Sequence, residues 1–299
     1  MAEVTAQLVK ALRERTGAGM MECRNALVEA NGNLDDAEVV LRKRGAASAA
    51  KKASRSAKQG LILVEIAPSG DSAVVLEVNC ESDFVARTDD FQGLASDLAS
   101  HIAGSSASTV EAALAEPFSK DTTLTLGDYI KGKIAKVGEN ILLQRFERIA
   151  VSGGVIAGYT HPGSQLAVAV ALSSSAPASA ELTALGRDLA MQIAAADPKY
   201  VRRDQVDSAH LAKEAEIARD RARNEGKPEK ILDKIVEGRL SKFYEEVCLL
   251  EQPFIKDNAL TVTELIKQKG KDAGATIDVQ SFVRFKVGET QSSEEAPAE

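Results

Sequence analysis

The chain of 299 residues has no tryptophan, and Phe, Trp and Tyr together make up only 4% of it. A chain this poor in rings builds its core from Ala, Leu and Val and leans towards helix. Basic charge is also short: the net charge is −7, so bulk electrostatics does not mark a nucleic-acid binder. There are three cysteines, Cys23, Cys80 and Cys248, odd in number and far apart. They suit a reducing cytoplasm and form neither a disulfide framework nor a zinc site. The opening residues do not read as a signal peptide, and no apolar run is long enough to span a bilayer. A phosphate loop of the GxxxxGK[ST] type is missing, so the chain itself is not expected to bind a nucleotide. With three histidines, His101, His161 and His210, acid–base chemistry has few candidates. Cys80 and His161 could pair as thiol and base. The competing reading makes Cys80 a small turn residue, and it is preferred. No cofactor and no metal ligand set is expected.

The apolar spacing predicts an α+β protein. A helix over 3–15 puts Val4, Leu8, Ala11 and Leu12 on one face. Thr16 to Gly19 break it, Met20 to Ala30 form a second, and Asn33 caps a third that ends at Gly45. Met20 and Met21 are adjacent, so both cannot point into one core. Seven basic residues and no acid lie between Arg42 and Lys58. That run reads as a linker between a mobile N-terminal domain and the core, or as a weak nucleic-acid contact.

Strands over 61–66 and 73–78 form a hairpin, followed by turn-prone Asn79 to Ser82 and a helix from 91 to 103. Residues 104–124 read as a surface connection with a short helix from Thr109. A helix over 126–137 stops at Gly138, and a strand covers 141–151. A second hairpin, 155–160 with 166–172, turns at His161 to Ser164, and a helix spans 180–196. Two charged helical patterns, 204–224 and 229–248, meet at a Gly226-Lys227-Pro228 link and form an antiparallel hairpin. A helix over 262–269 and a strand over 277–287 close the fold.

Two segments share the pattern LxxDLAxxIA: Leu94 to Ala103 and Leu185 to Ala194. Each follows a β-hairpin, and each sets Leu, Leu and Ile at i, i+4 and i+8 as a stripe able to cover a sheet. Two similar α/β subdomains follow. The expected domains are 1–54, 55–140, the pair 141–203 with 249–288, the inserted hairpin 204–248, and a disordered acidic tail over 289–299.

The chain turns on Glu77-Val78-Asn79-Cys80-Glu81-Ser82-Asp83-Phe84-Val85-Ala86-Arg87. An acid and a ring, Asp83 and Phe84, sit where a strand hands over to a helix. Large apolar side chains are usually buried, which would make Phe84 a core residue closing the connection. The stretch also closely resembles EVNxxTDFVA of the bacterial elongation factor Ts family, the nucleotide exchange factors of elongation factor Tu. Ser82 stands where that family usually has Thr, keeping the hydroxyl. Leu12 to Leu27 is close to the family's N-terminal motif, with Arg24-Asn25 where Lys-Lys is common. Ala135 to Asn140, the His161 turn, Gly226 to Pro228, Val236 to Arg239, Gln252 to Phe254 and Phe282 to Phe285 carry the resemblance to about Val287.

The resemblance implies a three-helix, ubiquitin-associated-like N-terminal domain, two α/β subdomains and a helical hairpin used for dimerisation in some members. It implies a cytoplasmic translation factor with no covalent chemistry. Ser82, Asp83, Phe84 and Val85 would be the wedge that disturbs the Mg²⁺ site of factor Tu and frees GDP. Phe84 would then point outward and Val85 inward. Arg13, Met20, Met21, Val137, Gly138 and His161 would be further partner contacts, and a homodimer or 2:2 complex is compatible. The C-terminal helical module of some members has no counterpart here, so its contact is not carried over. The alternative is a nucleic-acid-associated or general binding scaffold.

Overall fold

The structure is a computed structural model and describes residues 4–290. It is of mixed α+β class. Helices α1 (Ala6–Thr16), α2 (Met20–Glu29) and α3 (Leu34–Lys52) wrap a small core of Val9, Leu12, Cys23, Ala26, Leu27 and Ala37. Thr5 caps α1 by accepting the Leu8 N–H at 3.3 Å. Gly17 then closes it in the left-handed region at φ 67°, donating to the Arg13 carbonyl at 2.7 Å. Asn33 caps α3 through the N–H groups of Asp35 and Asp36.

Gly45 does not end α3. It lies buried in the helix interior, where a Cβ would stand 3.4 Å from the Ala135 Cβ. Tertiary packing carries the helix through this glycine despite its helix cost of about 1 kcal/mol. The second half of α3 therefore lies on the core, and Ala49 belongs to the main apolar cluster. Residues 42–52 are helix and no linker. Arg42, Arg44 and Arg55 of the basic run pair with Glu38, Glu29 and Glu81.

Among the described residues two three-stranded antiparallel sheets have the same order. The first is β1 (Gln59–Ile66), β2 (Ser72–Cys80) and β5 (Ile141–Ala150), with β2 central. The second is β6 (Gly154–Thr160), β7 (Leu166–Ser174) and β10 (Ile277–Lys286), with β7 central. The central strands are buried on both faces, as strands covered twice are. Val74, Leu76 and Val78 of β2 join the helix-side core, while Ala73 and Val75 join the layer between the sheets. In β7, Val168, Val170 and Leu172 face helices, and Ala167, Ala169 and Ala171 face the first sheet. Small residues on that inner face let the sheets approach closely.

Helices cover the outer faces. After β2 come α4 (Asp83–Ala86) and α5 (Asp89–Gly104), whose Leu94, Leu98 and Ile102 are fully buried. Then follow α6 (Val110–Ala115), the short strands β3 (Pro117–Phe118) and β4 (Asp121–Thr125), and α7 (Leu126–Val137). In the other half α8 (Ala180–Ala196) buries Leu185, Leu189 and Ile193. The helices α9 (Ser208–Asn224) and α10 (Glu229–Val247) intervene. The chain resumes with β8 (Pro253–Phe254), β9 (Asp257–Thr261) and α11 (Val262–Ala273). The β3–β4 hairpin was expected as plain connection, because strands this short carry no readable period.

The expected tail is held at its start. Gly288 donates its N–H to Glu77 Oε1 at 2.8 Å, and Glu289 pairs with Arg145 and Arg284. Residues 291–299 lie outside the described residues, and the rest of that expectation with them.

Candidate functional site

The segment 77–87 divides into an anchored half and a presented half. Asn79 and Cys80 are strand, not turn: Asn79 pairs with Gly60 and Leu142, Cys80 with Gln59 and Ile141. Sheet pairing on both sides overrides the turn preference of Asn. Glu77 is fully buried at the inner face and meets Arg145 Nε at 2.8 Å. Its Oε1 also accepts from Asn79 Nδ2 at 3.1 Å. A buried carboxylate is tolerable only when paired and hydrogen-bonded in this way. Arg145 in turn stacks over the Phe285 ring at 3.9 Å, tying β5 to β10.

Beyond Cys80 the chain leaves the sheet. Ser82 caps the single turn α4, its hydroxyl accepting the Val85 N–H at 3.3 Å. The loop after α7 meets it. Gly138 adopts φ 87°, which frees the chain to turn sharply at the end of α7. Glu139 then reaches the loop after β2: its Oε2 accepts the N–H groups of Glu81 at 3.1 Å and Ser82 at 2.9 Å, and its Oε1 accepts the Ser82 hydroxyl at 2.6 Å. Glu81 reaches back and accepts the Asn140 N–H at 2.7 Å. Asn140 Nδ2 donates to the Arg55 carbonyl at 2.9 Å.

On this base Phe84 is 81% exposed, so it is no core residue. Val85, its neighbour, is half-buried against the main core, and Ala86 is buried. Asp83 pairs with Arg87 at 2.9 Å one turn on. Met20 and Met21 are both exposed, 46% and 64%, so neither serves the small helical core. Arg13 is exposed on α1. The turn before Met20 lies against α7, where Gly17 is within 3.7 Å of Lys136 once a Cβ is placed on it. Lys136 in turn pairs with Asp90 at 2.8 Å. The methionine turn, α7 with Val137 and Gly138, and the start of α5 thus form one connected stretch beside the Phe84 loop. Val137 packs partly on the core and Gly138 is exposed.

His161 is exposed at the tip of the β6–β7 hairpin, its Nδ1 3.0 Å from the Tyr159 hydroxyl. That tip hangs on β1 through the Ile62 N–H, which donates to Ser164 at 2.6 Å. Cys80 Sγ contacts the Ser82 carbonyl at 3.2 Å instead of His161. Burial pushes its thiol up to about 12, with the Glu139 charge adding to the shift. A thiol held neutral in this way is a poor nucleophile. Sequence reasoning missed Glu139, although the motif around it was in view. The one signal was an acid directly after a helix-ending glycine.

The fold and this loop define an α+β protein that holds an aromatic tip, fastened at its base, out in solvent. The description "Elongation factor TS" belongs to the family model that matches residues 81–289. Elongation factor Ts of Clostridium kluyveri is 46% identical over 286 residues, covering 96% of this chain and 93% of that one. The factors of Clostridium botulinum and Clostridium acetobutylicum are 45% and 46% identical over the same length. The chain belongs to the elongation factor Ts family, and it is a translation elongation factor. Among the described residues no helix is long and apolar enough to cross a membrane.

Proposed function

We propose that this chain speeds GDP release from elongation factor Tu in the cytoplasm, with Ser82, Asp83, Phe84 and Val85 as the wedge. The observation that carries this reading is the 81% exposure of Phe84 on a loop fastened at both ends. Docking the ring between two helices of the GTPase domain would recover about 1.5–3 kcal/mol of apolar burial. Little ordering is lost because the base is already set. Asp83 would exchange its Arg87 pairing for groups of the partner that hold Mg²⁺, and release of the ion unclamps the phosphates. The chain then binds the nucleotide-free partner better than the bound one, and nucleotide must weaken its binding by the same factor. No covalent step is required.

Arg13, Met20 and Met21 on a ubiquitin-associated-like helical domain, with Val137, Gly138 and His161 on the two similar α/β subdomains, would extend the contact. The exposed methionines supply adaptable apolar surface. The α9–α10 hairpin would serve a homodimer or a 2:2 complex, read by sedimentation of the free protein and of the complex. Stopped-flow release of a fluorescent GDP from factor Tu tests the wedge. Phe84→Ala with Asp83→Ala should abolish the acceleration, and wild-type rates in that double variant would sink the reading.

A further inference from the structure

We propose that Glu139 is the positioning residue of the wedge loop and sets the fraction of molecules ready to dock. This rests on the exchange reading above. One carboxylate makes three bonds to two consecutive residues, the N–H groups of Glu81 and Ser82 and the hydroxyl of Ser82. Bonds to an ionised acceptor are roughly twice as strong as neutral ones. Because the Ser82 hydroxyl donates its hydrogen to Glu139, its lone pairs are left to receive the Val85 N–H. The carboxylate therefore orients the cap that starts the turn carrying Phe84.

That turn is four residues long, far too short to hold itself as helix. Asp83 and Arg87 bridge one another on the same turn and lend it no outside anchor. Glu139 lies 57 residues away from Ser82 and is placed by the end of α7. Glu81 completes a crossed pair by accepting from Asn140, so each loop places an acid on the other's backbone. Without Glu139, two half-buried N–H groups lose their acceptor, and the turn samples conformations that cannot dock. When the competent fraction falls, apparent affinity falls in proportion, while saturating partner can still select the right form.

The test combines hydrogen exchange on the full-length free protein with GDP release measured against concentration. Glu139→Ala should speed amide exchange in 81–88 by about tenfold or more, with the β2 and α5 peptides unchanged. Its half-saturating concentration for GDP release should rise about tenfold, with the maximal rate within about twofold of wild type. Glu139→Gln keeps an oxygen for the two N–H groups and should lie closer to wild type on both readouts. Ser82→Ala, which keeps the backbone bonds, is read by hydrogen exchange alone, where it should fall between, and it serves if Glu139→Ala does not fold. Unchanged protection of 81–88 in both Glu139→Ala and Ser82→Ala overturns the proposal. So does a fall in the maximal rate at unaltered half-saturation, which would make Glu139 a partner contact. Equal loosening of β2 and α5 overturns it too. The hydrogen-exchange arm needs no partner. If wild type fails to speed release while Glu139→Ala still loosens the loop, the exchange reading falls and the clamp stands.

Discussion

Gly45 of α3 and Ala135 of α7 meet with no longer side chain between them; a Cβ on Gly45 would stand 3.4 Å from the Ala135 Cβ. This contact, with Ala49 in the main core, seats α3 on α7. α7 carries Val137, Gly138 and the Glu139 loop, so the same contact relates the methionine turn to the Phe84 loop. Gly45→Ala should be neutral or slightly stabilising, since helix propensity gains about 1 kcal/mol against a snug contact. Gly45→Leu should cost about 1–3 kcal/mol by overpacking. Urea denaturation of the two variants checks this, and equal midpoints would show that the helices do not depend on close approach.

Phe84 and Val85 should separate stability from activity. Phe84→Ala removes an exposed ring and should leave the thermal midpoint unchanged or slightly raised while GDP release slows. Val85→Ala removes half-buried methyls from the core and should cost about 1 kcal/mol. Calorimetry on the free proteins reads both. A loss of several kcal/mol in Phe84→Ala would show that the ring is used internally.

The two halves hold their short hairpins by the same backbone bond, made by different residues. His101 Nδ1 accepts the Ser119 N–H at 3.2 Å, and its Nε2 lies 3.2 Å from Glu116 Oε2. In the other half Gln192 Oε1 accepts the Ile255 N–H at 2.8 Å, and its Nε2 donates to Gln252 Oε1 at 3.1 Å. The double variant His101→Gln, Glu116→Gln should therefore fold with stability near wild type. His101→Leu leaves the Ser119 N–H without its acceptor and should cost about 1–3 kcal/mol. Denaturant midpoints decide, and equal losses in both variants would refute the equivalence.

Stability should fall on the alkaline side. Burial pushes the Cys80 thiol up to about 12 and the Cys248 thiol up to about 11. Burial, then the bond to Asp97, also raises the Tyr129 phenol. All three groups keep their protons in the folded chain at pH values where the unfolded chain has released them. Their stabilising contribution is complete below about pH 9, the unfolded value for the thiols, and is lost as pH rises through the folded values. Urea midpoints should drop steadily from about pH 9 to 11, and Cys80→Ala should flatten the slope. A flat wild-type profile would contradict the assignment.

The period of the apolar residues was enough to determine the order and kind of the long elements. α7, Leu126 to Val137, and α8, Ala180 to Ala196, are legible to the residue because 3.6-residue spacing and caps agree there. The LxxDLAxxIA stripes likewise announced which helices cover the sheets. Where local preference and long-range pairing disagree, the fold decided. Asn79 is turn-prone yet lies in a strand because β1 and β5 pair with it from both sides. Gly45 looks like a helix end, but α3 runs on through it because the second half of the helix packs on α7 and the core. The site shows the same division. An aromatic after an acid could be read from the chain, but its apolar character alone favours burial; the outward direction came from the family resemblance, and it holds because Val85 and Ala86 take the core. The Glu139 clamp was beyond local reading, since a bond across 57 residues leaves no period in the sequence and exists only once α7 has packed beside the end of β2.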